Sequence, residues 1–315
     1  MKKNGIVFCI EGLNNRIKEL VSRFNENQMI MLEELCAEAS KMTGVNDLMD
    51  YLTLKTEVSG VDLSYKNLIF TYIADYIIFQ TYLEKGIPPD VIIGYSLGLN
   101  TACVCAGNIS FEGGIKILQC IKKCLDYACD HLNQDMGLII GLGEKTIQYL
   151  LDRNHWNSKL SIGSINSDYS LLITGEKEYV QKMIDAATSE GALRAVMLHT
   201  NIAFHYANKE SWLVECIKDI NQLEVYKGSY PIMSVYALEF VSEQRVIDEL
   251  KDNVYCQMKW GEAINKLEEE GYHQFWDVSL DGNLKKITKL NHKDSVFHTF
   301  KSLENMMEVD QCILK

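Results

Sequence analysis

Proline, basic residues and long apolar runs are all scarce in this chain of 315 residues. Only three prolines occur, and no glycine-rich, serine-rich or highly charged stretch divides the chain, so a flexible linker or disordered tail is not expected. The 31 basic residues are outnumbered by 43 acidic ones, giving a net charge of −12. That balance argues against general nucleic-acid binding, which needs Lys and Arg to neutralise phosphates. A local basic patch for an acidic partner stays open.

The apolar runs are too short to cross or enter a membrane. Residues 68–82 are rich in apolar side chains, but Asp75 interrupts them and Lys85 follows soon after, so a buried helix is predicted instead. The run at 6–10 is too short for the core of a secretory leader, and none is expected.

Cysteine spacings typical of metal sites are also missing. The sequence has ten cysteines but no paired CxxC or His/Cys pattern, so neither a zinc site nor another metal is expected. Five of them lie in apolar segments with helical spacing, which favours free thiols in a cytoplasmic protein: Cys103, Cys105, Cys120, Cys124 and Cys129. No cofactor is predicted.

The order of elements predicts an α/β fold. Short apolar runs at 6–10 and 91–93 are typical of buried strands, and helical spacing occurs at 15–40, 64–84 and 111–131. From about residue 136 the pattern changes, with predicted strands at 137–142, 171–174 and 195–198 and predicted helices at 144–153 and 177–190. This alternation predicts a small strand–helix insert within a larger domain.

The stretch 91–100 carries the clearest chemical signal. Gly94, Ser96 and Gly98 form a GxSxG turn between a buried strand and a helix, which places a serine on a tight, exposed bend. The helix that follows offers free N–H groups and a positive dipole to a developing oxyanion. Taken alone, the three fixed residues are weak evidence for catalysis, because a glycine-rich turn between a strand and a helix also occurs in proteins that are not enzymes.

A series of further segments follows in one order along the chain. It reads GIPPD at 86–90, GYSLG at 94–98, AGNISFE at 106–112 and AFH at 203–205, with looser matches at 135–142, 166–167, 173–176, 229–234, 259–260 and 277–284. The set resembles the malonyl-CoA:acyl-carrier-protein transacylases and the acyltransferase domains of polyketide synthases. The resemblance implies a hydrolase-like α/β domain formed by residues 1–132 and 199–315. It also implies a ferredoxin-like subdomain at 133–198, with the active site between the two.

The same resemblance implies roles for single residues. Ser96 would be the nucleophile and His205 its base, with the backbone carbonyl of Asn253 orienting the imidazole. The oxyanion hole would use the N–H groups of Leu97 and Glu11, although Glu11 stands where the family has Gln, and a carboxylate beside a developing negative charge is unfavourable. A conventional α/β-hydrolase would place an acid and a histidine later in the chain, in the manner of Asp252 and His273.

The predicted acyl pocket departs from the malonyl-loading members. Their carboxylate-binding arginine falls at Ile121 when residues are counted without gaps, and Ile121 lies on the apolar face of its helix. Lys122 would replace that arginine only if the helix register were shifted. An unpaired buried carboxylate costs several kcal/mol, so a neutral acyl group is expected. Tyr95, beside the serine, and the bulky Phe204 are assigned to this pocket, and Phe204 favours a short acyl chain.

The resemblance therefore implies a serine acyltransferase that moves an acyl group between coenzyme A and the thiol of an acyl carrier protein, in fatty acid or polyketide biosynthesis, and the pocket residues predict that this group is short and neutral. Two alternatives remain at this point: an acyl-carrier-protein thioester hydrolase, and an inactive scaffold that binds carrier proteins. A monomer in the cytoplasm is expected, without membrane or nucleic-acid partners.

Overall fold

The computed structural model describes residues 5–45, 48–53, 61–206, 211–289, 292 and 295–313. Nine strands occur in this part of the chain: β1 (Ile6–Ile10), β2 (Val91–Gly94), β3 (Gln134–Ile140), β4 (Leu160–Ser167), β5 (Ser170–Glu176), β6 (Arg194–Met197), β7 (Ile232–Met233), β8 (Gln274–Asp277) and β9 (Val296–His298). Its α-helices are α1 (Ile17–Leu20), α2 (Glu26–Thr43), α3 (Leu48–Thr53), α4 (Val61–Glu84), α5 (Gly98–Cys105), α6 (Phe111–His131), α7 (Glu144–Arg153), α8 (Lys177–Ser189), α9 (Ser211–Cys216), α10 (Val246–Tyr255), α11 (Trp260–Glu269), α12 (Asn283–Thr288) and α13 (Phe300–Ile313).

The larger unit is built on a five-stranded parallel sheet with the order β7-β2-β1-β8-β9. Successive side chains of a strand point to opposite faces, and β1 shows the consequence. Phe8 and Ile10 belong to one apolar core, whereas Val7 and Cys9 belong to a second core that includes Trp260 of α11. The sheet is therefore buried on both faces, as parallel sheets are.

The second sheet is antiparallel and has the order β4-β5-β3-β6. With α7 and α8 the chain runs β-α-β-β-α-β, which is the ferredoxin-like arrangement. One face of this sheet and the two helices share a separate core around Ile139, Leu171 and Val180. The predicted fold class, a hydrolase-like α/β unit with a ferredoxin-like one, is confirmed. The exact domain limits at residues 132 and 198 stay a prediction.

Most predicted elements are found with small shifts, and two predictions were wrong or incomplete. The helix expected at 15–40 is interrupted at Phe24, and α2 begins after Asn25, whose side chain forms a reciprocal capping box with Gln28. Strand β4 was missed because a bulge between Ile162 and Ser164 breaks the alternation of apolar and polar residues.

No helix in the described ranges is long and apolar enough to span a membrane. The long helix α4 instead lies in the main core, where Phe79 packs edge-on against Phe8 with ring centroids 5.8 Å apart. Asp75, the residue that interrupts its apolar pattern, is buried in the same helix.

Phe8→Ala is expected to lower the free energy of unfolding by about 3–5 kcal/mol, because it removes a fully buried ring from the centre of the main core. Urea unfolding followed by far-UV circular dichroism measures this loss. Leu193→Ala is the control, since that side chain is 84% exposed, and its change should stay within about 0.5 kcal/mol. Equal losses in the two variants would contradict the assignment of the core.

Candidate active site

Ser96 lies on the turn between β2 and α5, with a backbone φ of 53°. This left-handed conformation is uncommon for a residue with a side chain and is found at strained functional turns. The turn packs so closely that a Cβ atom at Gly98 would lie 2.1 Å from the carbonyl oxygen of Ile10. At Gly94 a Cβ atom would lie 2.4 Å from the backbone of Leu99. The two glycines therefore allow the elbow to form against β1.

The structure brings Ser96 and His205 together, although 109 positions separate them. The Ser96 Oγ lies 2.8 Å from the His205 Nε2, and His205 is itself in a left-handed conformation with φ 57°. Burial lowers the pKa of His205 to about 4, partly offset by a hydrogen bond to the carbonyl of Cys256. The imidazole is therefore neutral at neutral pH and can accept a proton from the serine.

The carbonyl that orients the imidazole belongs to Cys256, and the prediction of Asn253 was wrong. The His205 Nδ1 lies 3.2 Å from the Cys256 oxygen. Helix α10 ends at Tyr255, so Cys256 is extended and its carbonyl points outside the helix. The Asn253 side chain accepts a hydrogen bond from the Tyr236 hydroxyl instead. The backbone N–H of His205 also donates to the Val254 carbonyl, with the nitrogen and oxygen 2.9 Å apart.

The antiparallel sheet supports the histidine from the other side. Thr174 of β5 donates its hydroxyl to the carbonyl of Phe204 at 2.7 Å. Gly163 of β4 packs against the same residues, since a Cβ atom there would lie 3.0 Å from the Thr174 Cγ2 and 3.3 Å from the His205 Cβ. The backbone of Met258 bonds to both Gly163 and Ile165, which ties β4 to the segment that carries Cys256. Sequence reasoning did not identify these supports.

Two backbone segments meet at the expected oxyanion position. Within the described residues, the N–H of Leu97 has no hydrogen-bond acceptor. A Cβ atom at Gly12 would lie 2.6 Å from the Leu97 nitrogen, so only a glycine leaves space there. The Ser96 N–H, in contrast, donates to the Met258 sulfur at 3.2 Å. The Leu97 N–H therefore faces the loop at Gly12 without an acceptor, and its role in an oxyanion hole, together with the N–H of Glu11, stays a prediction.

The Glu11 side chain is buried and lies close to other acids, among them Asp281 and Asp277. It accepts a hydrogen bond from the Asn14 amide at 2.9 Å. Burial, with the nearby carboxylate of Asp281, raises the pKa of Glu11 well above its ordinary value, while Asn14 and Lys286 act in the opposite direction. Burial and then the charge of Glu11 raise the pKa of Asp75 in the same way, and neither Asp75 oxygen has a hydrogen-bond partner in the described residues.

A cleft of about 270 Å³ opens beside Ser96. Tyr95 and Phe204, the two residues that the sequence assigned to an acyl pocket, line this cleft. The other lining residues come from several elements: Glu11, Gly12, Leu13, Asn15, Ser64, Leu68, Leu97, Leu125, Met136, Leu198, His199, Thr200, Ile202, Asn283, Leu284 and Ile287. The Tyr95 hydroxyl donates to Asn166 of β4 at 2.9 Å. This hydrogen bond joins the serine elbow to the antiparallel sheet.

The prediction that Ile121 lines the pocket was wrong. Ile121 is buried in the main core, and Leu125, one helical turn later on the same face of α6, lines the cleft. Lys122 does not replace an arginine there, because its ammonium bonds Asp126 at 2.6 Å on the outer side of the helix. The alternative acid Asp252 lies 3.9 Å from Arg245, and the imidazole on Ser96 belongs to His205 rather than His273.

Fold and site together define an α/β enzyme with a serine at a strand–helix elbow. Residues 10–303 match the family described as "Acyl transferase domain", and the chain belongs to this acyltransferase family.

Comparison with curated relatives and with solved structures agrees with membership of this family. Over its full length the chain is 24% identical to the whole malonyl CoA-acyl carrier protein transacylase of Buchnera aphidicola subsp. Baizongia pistaciae. It is also 24% identical to the Bacillus subtilis (strain 168) protein of that name, over 75% of this chain and 80% of that one. The solved malonyl CoA-acyl carrier protein transacylase from Coxiella burnetii has the same fold, with a TM-score of 0.81 at 21% identity, covering 98% of this chain and 97% of that one.

Glu11→Gln is expected to change the pH dependence of serine acylation. As pH rises through the raised pKa of Glu11, its buried side chain becomes a carboxylate beside the oxyanion loop, so the wild-type rate should fall and the rate of the variant should exceed it about tenfold once Glu11 is ionised. The raised pKa also means that the wild-type free energy of unfolding decreases as pH rises from the ordinary pKa of a glutamate to the raised pKa in the folded protein, and the variant should lose this dependence.

Rates of acyl-enzyme formation between pH 5 and 9, with urea unfolding at the same values, provide the measurement. Gln keeps the size of the side chain and the oxygen that accepts from Asn14. If the acylation rate and the free energy of unfolding depend on pH in the same way in both proteins, Glu11 does not ionise near the oxyanion.

Proposed function

We propose that this protein transfers an acyl group from a thioester, through an ester on Ser96, to the thiol of an acyl carrier protein. The observation that carries the proposal is the 2.8 Å contact between the Ser96 Oγ and the Nε2 of a buried imidazole at the edge of an open cleft. An inactive scaffold would have no need of two strained residues held in hydrogen-bond contact.

The chemistry has two halves that share one intermediate. His205 takes the Ser96 proton as the oxygen attacks the thioester carbonyl, and the negative charge forms on the carbonyl oxygen near the Leu97 N–H. The tetrahedral intermediate then expels the thiolate, which takes the proton from His205 and leaves an acyl ester on Ser96. A carrier-protein thiol reverses these steps, giving its proton to His205 and accepting the acyl group.

The names of the relatives support a carrier protein as the partner. The curated relatives are malonyl CoA-acyl carrier protein transacylases, and one solved structure with the same fold, at TM-score 0.78, is a complex of an acyl carrier protein with its malonyl-transacylase. Transfer is therefore favoured over hydrolysis, which would use water on the same ester. Cytoplasmic placement is part of the proposal, because the nine cysteines described are free thiols, as in a reducing compartment.

The lining of the cleft favours a neutral acyl group over malonyl. Among the described residues that line it there is no Lys or Arg, and its histidine, His199, is exposed at the rim. Its walls are largely apolar, with Leu125 where α6 reaches the cleft and Phe204 beside the base. Glu11 and Asp75 add carboxyl groups beneath the loop. A malonyl carboxylate would lose its water there without gaining a cationic partner.

Intact-mass analysis of the protein with acetyl- and malonyl-loaded carrier protein, with and without an acceptor carrier protein, tests the function. We expect an acetyl adduct that is absent in Ser96→Ala and that passes to the acceptor. In His205→Gln, formation of the adduct should be slower by about 10²–10⁴-fold, because the general base is lost. Decay of the adduct to free acid without transfer would indicate a hydrolase, and an unlabelled wild-type protein would contradict catalysis at Ser96.

Leu125→Arg should increase the rate of malonyl labelling relative to acetyl labelling about tenfold or more, because it places a guanidinium in the cleft where a carboxylate can bind in bidentate fashion. Competition between the two donors, read by mass, gives the ratio. Leu125→Gln is the matched control, since it adds polarity without charge and should leave the ratio near the wild-type value. If the arginine and glutamine variants give the same ratio, the neutral-acyl proposal fails.

A further inference from the structure

Lys286 lies near the cleft, although none of the lining residues that the structure describes is a Lys or Arg. The Lys286 ammonium donates to the Asn283 Oδ1 at 2.9 Å, and Asn283 is a lining residue. The Asn283 amide in turn donates to Asp281, which fixes the orientation of the Asn283 side chain. Lys286 itself is exposed, and within the described part of the chain it has no ion pair.

The geometry of α12 directs Lys286 and its neighbour Lys285 to different sides. Residues of an α-helix are about 100° apart, so Lys286 lies about 60° around the axis from Asn283, whereas Lys285 lies about 160° away. The pKa shifts agree with this difference. The charge of Lys286 lowers the pKa of Glu11 at the cleft, whereas the charge of Lys285 lowers the pKa of His298 on β9. One helix thus carries a lysine beside the cleft and a lysine directed away from it.

The substrates of the proposed reaction carry a negative group that must stay at the mouth of such a cleft. Coenzyme A and acyl carrier proteins both present the acyl thioester on a phosphopantetheine arm. When the thioester reaches Ser96, the phosphate at the other end of the arm remains outside, in a protein whose net charge of −12 would otherwise repel it. An unpaired ammonium beside the entrance provides local attraction.

We propose that Lys286, held by Asn283 at the rim of the cleft, binds the phosphate of the phosphopantetheine arm. This inference rests on the proposed function, because it takes the arm as the carrier of the thioester. The ligand is the phosphate common to coenzyme A and carrier protein, and not the additional nucleotide phosphates of coenzyme A.

The test compares Lys286→Gln with the matched control Lys285→Gln on four acetyl thioesters: those of coenzyme A, carrier protein, phosphopantetheine and pantetheine, the last of which has no phosphate. We expect kcat/KM for the first three to fall about fivefold in Lys286→Gln, the size of one exposed ion pair, and to be unchanged for pantetheine. Higher ionic strength should reduce the difference. Lys285→Gln should match the wild type with every donor.

A loss confined to coenzyme A, an equal loss for pantetheine, or the same loss in Lys285→Gln would overturn the proposal. Calorimetric binding of free phosphopantetheine and pantetheine gives a readout without turnover. The wild type should bind the phosphorylated form more tightly, and Lys286→Gln should remove this preference; no preference in the wild type would also overturn it. Failure of the proposed function is a separate result, namely no acetyl adduct on Ser96 from any donor.

Discussion

The buried imidazole of His205 is the point on which the rest of the site depends. Its two nitrogens lie at hydrogen-bond distance from the Ser96 hydroxyl and the Cys256 carbonyl. Both Ser96 and His205 have positive φ values, which cost free energy and persist only where surrounding structure enforces them. The parallel sheet enforces the serine turn through Gly94 and Gly98, and the antiparallel sheet holds the histidine through Thr174. The reacting pair therefore exists only when both sheets are assembled.

Burial gives this site its electrostatic character. The same loss of water that lowers the pKa of His205 to about 4 raises the pKa of Glu11 and Asp75. The histidine is thereby kept neutral and able to act as a base, and burial disfavours the ionised forms of the two acids. A site of this kind suits a neutral thioester, because the charge that develops during the reaction meets backbone N–H groups rather than full charges.

The errors in the sequence-based site share one cause. Asn253 and Ile121 were placed by counting along motifs, and in both places a neighbouring residue reaches the site: Cys256 because α10 ends just before it, and Leu125 because α6 approaches the cleft one turn later. Periodicity identifies the face of a helix but not the turn at which that face meets a cavity. The sequence shows a glycine at position 12, but only the structure shows why it is required: a side chain there would collide with the backbone of Leu97.

The sequence by itself determined the α/β class and the serine elbow at 94–98, since these depend on local hydrophobic pattern and turn chemistry. The pairing of Ser96 with the histidine of the AFH segment came from the family resemblance, because the chain has seven histidines and local pattern does not choose among them. Only the tertiary structure decided which carbonyl orients the imidazole, which residues line the cleft and where Lys286 stands. Those features depend on how segments that are distant in the sequence pack against one another. A shift of one helical turn brings a different side chain to the cleft, and the hydrophobic pattern of the sequence is the same in both cases.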